Sequence, residues 1–125
     1  MSSVFTKIIN GEIPCYKIYE DETVFAFLDN NPEAKGHTLV IPKIEVNKIY
    51  DLDDETYTHL WLVAKKIAKN MEEKLGTRIL FKVIGVDVPH AHIHLVPYTE
   101  HFMDPNHHEK LTAEDFEAIR EQLTF

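Results

Sequence analysis

In the segment His90-Ala91-His92-Ile93-His94-Leu95-Val96, three imidazoles alternate with apolar side chains. Successive side chains of an extended chain point to opposite faces, so His90, His92 and His94 share one face and Ala91, Ile93 and Leu95 take the other. An apolar face of that spacing is ordinary. Three imidazoles in a row are not: each is costly to bury without a partner, and each changes charge near neutral pH according to its neighbours. Three readings fit the residues alone. The first is a solvated strand face rich in histidine. The second is a metal site of a cupin-like hydrolase, with His92 and His94 as ligands and Glu100 as a third. The outer pair, His90 and His94, would lie ~13 Å apart at a rise of ~3.3 Å per residue, too far to share one ion at ~2.1 Å. The glycine-punctuated strand repeats of an all-β barrel are also absent. The third is a phosphate-binding row in which His92 attacks phosphorus while its neighbours orient it or hold phosphate oxygens.

The chain around this segment reads as alternating strands and helices. Residues 90–97 form one strand, and the apolar-rich residues 78–86 before it form another. A helix over 54–75 precedes them, with Leu60, Ala64, Ile67, Met71 and Leu75 recurring every three or four residues; this stripe is read as core. Asp53 and Asp54 suit its N-terminus and Gly76 its C-cap. Earlier still, residues 16–20, 24–28 and 38–41 are strand-like, broken by Asp29-Asn30-Asn31-Pro32 and closed by Pro42. Val4, Phe5, Ile8 and Ile9 have helical spacing ended by Asn10-Gly11. A last helix opens on the capping pattern Thr112-Ala113-Glu114-Asp115 and buries Phe116, Ile119 and Leu123. Residues 98–110 are polar and read as a mobile loop. The expected fold is α+β: a mostly antiparallel five-stranded sheet, one long helix, a short N-terminal helix and a C-terminal helix.

Bulk properties narrow the function. At 125 residues, 44% hydrophobic and 27% charged, the chain suits a single globular domain over 1–125. A net charge of −8 argues against nucleic-acid or anionic-membrane binding, which needs a basic surface. The lone Cys15 excludes an internal disulfide and a multi-cysteine zinc site. No signal peptide and no apolar run of ~18 residues is visible, so a cytoplasmic location is expected.

Residues 90–96 also match the signature His-φ-His-φ-His-φ-φ, with φ apolar. Phe5-Thr6-Lys7-Ile8-Ile9-Asn10-Gly11-Glu12-Ile13-Pro14, Phe25-Ala26-Phe27-Leu28-Asp29 and Gly36-His37-Thr38-Leu39-Val40-Ile41-Pro42-Lys43 extend the likeness. On these residues the chain resembles the histidine-triad (HIT) superfamily over 1–97, nearest its nucleoside phosphoramidase branch; 98–125 would be a variable loop and helix. The resemblance implies a HIT-like fold, a homodimer joined edge to edge, and hydrolysis or transfer at the α-phosphorus of a purine nucleoside monophosphate conjugate, either a phosphoramidate or a dinucleoside polyphosphate. His92 would form a nucleotidyl-histidine. His90 and His94 would orient it or hold phosphate oxygens, with His37 as a fourth member. Asp29 would bind the ribose hydroxyls, and Phe5, Ile8 and Phe27 would wall the base pocket beside Asn30. No cofactor and no metal are implied.

Two departures bear on the chemistry. Many members carry a Gly-Gln-Ser/Thr-like tract before the triad, and here it is Gly85-Val86-Asp87-Val88-Pro89. An ionised Asp87 repels phosphate. Asp87 therefore either holds a proton or pairs with a histidine, or turns away because Pro89 disturbs the strand; the second is the expectation. Some bacterial members hold structural zinc on an N-terminal Cys-x-x-Cys; Val4 and Lys7 stand at that spacing, so no structural zinc is expected. The rival readings are a nucleotide-binding module without turnover, which Val86 and Asp87 favour, and the metal-dependent hydrolase.

Overall fold

Local signals set the helices. The computed structural model describes residues 2–125, so Met1 of the expected domain lies outside the described residues. Helix α1 (Val4–Ile9) is capped by Ser3, whose hydroxyl accepts from the Thr6 N–H. Helix α2 (Asp54–Leu75) starts at an Asp53 cap, carries Asp54 and Glu55 in its first turn and Lys74 in its last, and closes on Gly76 in the left-handed conformation. Helix α3 (Ala113–Leu123) opens with a reciprocal capping box between Thr112 and Asp115. No helix among the described residues is long and apolar enough to cross a membrane.

Five strands, β1 (Lys17–Glu20), β2 (Val24–Leu28), β3 (Thr38–Pro42), β4 (Ile79–Lys82) and β5 (Ile93–Pro97), form one sheet in the order β1-β2-β3-β5-β4. Every pairing is antiparallel. The expected α+β architecture is thus present, with β5 inserted beside β3 although α2 and β4 separate them in sequence.

The sheet has two apolar faces. Val24, Ala26, Leu28, Val40, Ile93 and Leu95 pack against Leu60, Val63, Ala64, Ile67 and Met71 of α2 and Phe116, Ile119 and Leu123 of α3. A fully buried side chain such as Ile67 contributes about 1.5–3 kcal/mol. Phe25, Phe27, Leu39 and Ile41 face the other way, under Phe5 of α1. Covered on both sides, β2 and β3 are buried along their whole length and read as continuous apolar runs. Register aligns Lys17, Phe27, Leu39, His94 and Lys82 in one row across the sheet. His94 therefore lies on the α1 face, opposite the α2 layer.

Two expected strand limits needed correction. The strand expected over 78–86 ends at Lys82; Ile84 and Val86 are exposed. The strand expected over 90–97 begins only at Ile93. Gly85, at φ +72°, and the bends from Val86 to His90 carry the chain out of the sheet between them. Without a ladder, the His90 N–H bonds to the Val88 carbonyl and the Ala91 N–H to the Val46 carbonyl. The segment 98–110 lacks regular structure as read, but the Glu109 N–H ties its end to the Pro32 carbonyl at 2.8 Å.

Candidate active site

The four histidines fall into two pairs, each with its tautomers fixed by hydrogen bonds. The Pro42 carbonyl lies 2.7 Å from His90 Nε2, and the His90 carbonyl lies 2.7 Å from His92 Nδ1. A carbonyl only accepts, so both ring nitrogens donate. Neutral His92 then has its proton on Nδ1 and a lone pair on Nε2. No hydrogen bond among the described residues occupies that Nε2.

The second histidine pair is ordered from the backbone. The Glu33 N–H donates to His37 Nδ1 at 3.0 Å, so the proton of neutral His37 sits on Nε2. That Nε2 lies 2.9 Å from His94 Nδ1 and donates to it, which leaves His94 with an Nε2–H. The rings of His92 and His94 meet edge to face, centroids 4.9 Å apart. A nucleophilic lone pair and a ring N–H donor thus stand side by side.

Burial opposes the charging of His37, His94 and His90. It is the largest influence on His37, pushed down to about 3 with His94 and Lys82 adding to it. Burial, then His92 and Lys82, lowers His94 to about 4. His90 is also lowered, again chiefly by burial. Lys82 is itself held by Glu33, with Nζ 2.6 Å from Oε2. Asp29 shifts the other way: burial raises it, against the Asn31 N–H bonded to its Oδ1. Its Oδ2 lies 3.5 Å from His37 Nε2. One Asp29 oxygen thus ties the turn while the other faces His37.

A cavity of about 570 Å³ opens over His92 and His94. Phe5, Ile8 and Phe27 form its apolar wall, and Asp29, Asn30, His37 and Asp87 also line it. Phe5 stands edge-on to His92, centroids 5.0 Å apart. One expected residue is elsewhere: His90 is fully buried behind the cavity, gripped by Ser3 Oγ at 2.8 Å and by Pro42. It has no route to phosphate oxygens and acts on His92 through its carbonyl. Asp87 is exposed and lines the cavity, with no histidine bonded to it among the described residues.

Several residues escaped the sequence reading. Glu33, Pro105 and His108 line the cavity, the last two brought in by the 98–110 segment. Ser3 and Thr6, one position ahead of the exposed Val4 and Lys7, reach His90 together with Glu45. Only the tertiary fold joins positions so distant. The metal set His92, His94 and Glu100 is not assembled, since Glu100 lies on a turn beyond the far end of β5. Instead Asp29, His37 and His94 present donor atoms within 4.8 Å of one another. An ion on His37 Nε2 would force the ring proton onto Nδ1, against the Glu33 N–H. The backbone therefore disfavours a metal there.

Comparison with known proteins identifies the family. The HIT domain model matches residues 10–101. Adenosine 5'-monophosphoramidase HNT1 of Saccharomyces cerevisiae is 42% identical over 98 residues, 75% of this chain and 61% of that protein, so the match spans under two thirds of its length. Protein hit of Bacillus subtilis is 41% identical over 100 residues, covering 75% and 69%. A Hit-like protein from Bartonella henselae, solved with an unknown ligand, superposes with a TM-score of 0.86 at 32% identity, over 98% of this chain and 93% of that one. A Zn-bound histidine triad family protein from Mycobacterium smegmatis gives 0.82 at 31% identity, over 98% and 94%. With the family model covering most of its length and relatives above 40% identity, this chain belongs to the HIT family.

Proposed function

We propose that this chain is a nucleotide phosphoramidase that works through a nucleotidyl-histidine on His92. The observation that carries the reading is the unoccupied Nε2 of His92, with its lone pair fixed by the Nδ1–H bond to the His90 carbonyl. That nitrogen would form a bond to the α-phosphorus as the bond to the leaving amine breaks and the amine takes up a proton. The His94 N–H would steady a phosphate oxygen. Asp29 would accept from the ribose hydroxyls, and the base would lie against Phe5, Ile8 and Phe27. Water would then cleave the nucleotidyl-histidine, releasing the monophosphate and restoring the lone pair. Two displacements retain configuration at phosphorus. The monophosphoramidase name of the yeast relative supports this reading.

The cavity lining favours an amine over a second phosphate as leaving group. Asp29 and Asp87 line it with no lysine or arginine, and the third carboxylate, Glu33, is already paired with Lys82. A polyphosphate would place several further negative charges among carboxylates, whereas an amidate carries only one. The same Asp87 supports the second reading, a nucleotide-binding module without turnover. Acid-quenched mass spectrometry after mixing with an adenosine phosphoramidate separates the two. The expected result is an adenylyl adduct on wild type and none on His92→Ala. AMP binding without any adduct or AMP release would favour the binding module.

The unit is proposed to be a homodimer. Strand β4 is a sheet edge, and Phe81, Val83, Ile84 and Val86 around it are exposed. Phe81 stacks on Trp61, whose buried indole N–H has no partner among the described residues. Pairing two β4 edges would cover this apolar surface.

A further inference from the structure

Behind the cavity wall lies a polar cluster that the reaction above does not use. Glu45 Oε1 accepts from the Ser3 N–H at 2.6 Å and from the Thr6 hydroxyl at 2.7 Å. The Ser3 hydroxyl lies 2.8 Å from His90 Nδ1, and Thr6 Oγ1 lies 3.4 Å from the same nitrogen. The protons can be followed one by one. His90 Nε2 donates to Pro42, so Nδ1 of the neutral ring accepts. Thr6 gives its hydroxyl proton to Glu45, which leaves Ser3 as the donor to His90. The Ser3 oxygen meanwhile accepts from the Thr6 N–H and caps α1. Each donor named here thereby has an acceptor, while Glu45, an exposed residue, uses only its Oε1 in the cluster.

We infer that Glu45, acting with Ser3 and Thr6, is a positioning group for His92: it locks α1 onto the His90 ring and so fixes the carbonyl that holds the nucleophile's tautomer. The inference rests on the phosphoramidase reading for its kinetic consequence, but not for its structural one. Two connections run from the cluster to the site. One is the chain from Glu45 through Ser3 to the His90 ring and from the His90 carbonyl to His92 Nδ1. The other is Phe5, whose ring meets His90 at 5.8 Å, His92 at 5.0 Å and Phe27 at 5.7 Å. Six residues are too few to hold a helix alone, so the placement of α1 depends on such tertiary ties.

Without Glu45, the Thr6 proton is released to compete for His90 Nδ1 and the Ser3 N–H loses its acceptor. The His90 carbonyl and the Phe5 ring then have more than one position. Glu45→Ala and Thr6→Val are therefore expected to slow adduct formation on His92 about tenfold and to weaken AMP binding, each effect about the worth of one net hydrogen bond. Glu45→Gln keeps the Oε1 acceptor for both donors and is expected to restore most of the rate. A role in stability alone would lower Tm and leave rate and affinity unchanged well below it.

The test pairs kinetics at a temperature where all variants are folded with imidazole nitrogen NMR, which reads tautomers without substrate. The wild type should show His92 as the Nδ1–H form alone; Glu45→Ala and Thr6→Val should show a mixture, and Glu45→Gln the single form. A single His92 tautomer in the Ala and Val variants overturns the inference. Failure of the wild type to release AMP from any amidate would instead overturn the phosphoramidase reading, and the tautomer measurement would still decide the role of Glu45.

Discussion

Acid should destabilise this protein earlier than its carboxylates alone would cause. His37 is buried and stays neutral in the folded chain down to about pH 3, because burial, His94 and Lys82 all oppose its charging. In the unfolded chain it takes a proton near its ordinary value of about 6.5. Between those limits the unfolded state binds one proton more, so stability rises with pH and is lost as pH falls. The loss for His37 alone is about 1.4 kcal/mol per pH unit, or about 2 kcal/mol by pH 5. A domain of ordinary stability holds about 5–15 kcal/mol, so this is a large share. His94 and His90, also lowered by burial, act in the same direction; part of the His94 ring meets solvent, which reduces its contribution. Asp21, held well below the usual carboxylate range by its hydrogen bonds, loses stability only at lower pH. The raised Asp29 works in the opposite sense. Urea denaturation from pH 7 to pH 5 measures the mean slope, and His37→Gln should remove about 1 kcal/mol per pH unit from it, about 2 kcal/mol over the interval. The difference between the slopes isolates His37 from the other histidines. A slope that the variant leaves unchanged refutes the reasoning.

Gly36 sits at φ +96°, and a Cβ there would come 2.9 Å from Leu75 Cδ1, so Gly36→Ala should cost about 2 kcal/mol, read as a Tm lower by roughly 6 °C in calorimetry. Asp87→Asn removes a carboxylate from the cavity lip and should raise kcat/KM for a dinucleoside polyphosphate about fivefold relative to a phosphoramidate, the worth of about 1 kcal/mol; an unchanged ratio would show that Asp87 does not meet the leaving group. Phe81→Glu places a charge on the exposed β4 edge and should yield a monomer in sedimentation, provided wild type sediments as a dimer.

Elements bounded by local chemistry were legible in the sequence. Helix α2 has its expected limits because Asp53 and Gly76 act on adjacent backbone, and β2 does because Asp29 to Pro32 break the chain just beyond it. The two strands nearest the site were overestimated. Apolar content carries on through Ile84 and Val86, but a strand ends where its partner leaves, and local composition holds no record of that. The alternation in 90–96 placed the histidines on one face, yet only distance across the fold shows that His90 lies behind the cavity. Asp29 and His37 came from resemblance, since each alone is an ordinary turn or surface residue. Ser3, Glu45 and His108 had no local signal at all, because their partners lie far along the chain.

The insertion of β5 between β3 and β4 also dictates an order of events during synthesis. The bond between His37 and His94 spans 57 residues and that between Ser3 and His90 spans 87. At roughly 5–20 residues per second, Ser3 waits ~4–17 s for its partner to be made. Through that interval Phe25, Phe27, Leu39 and Ile41 have no finished layer above them. A nascent chain halted before Ile93 would therefore expose half of the cavity as bare apolar surface. Such a fragment would be a client for chaperones and proteases well before its fold could close.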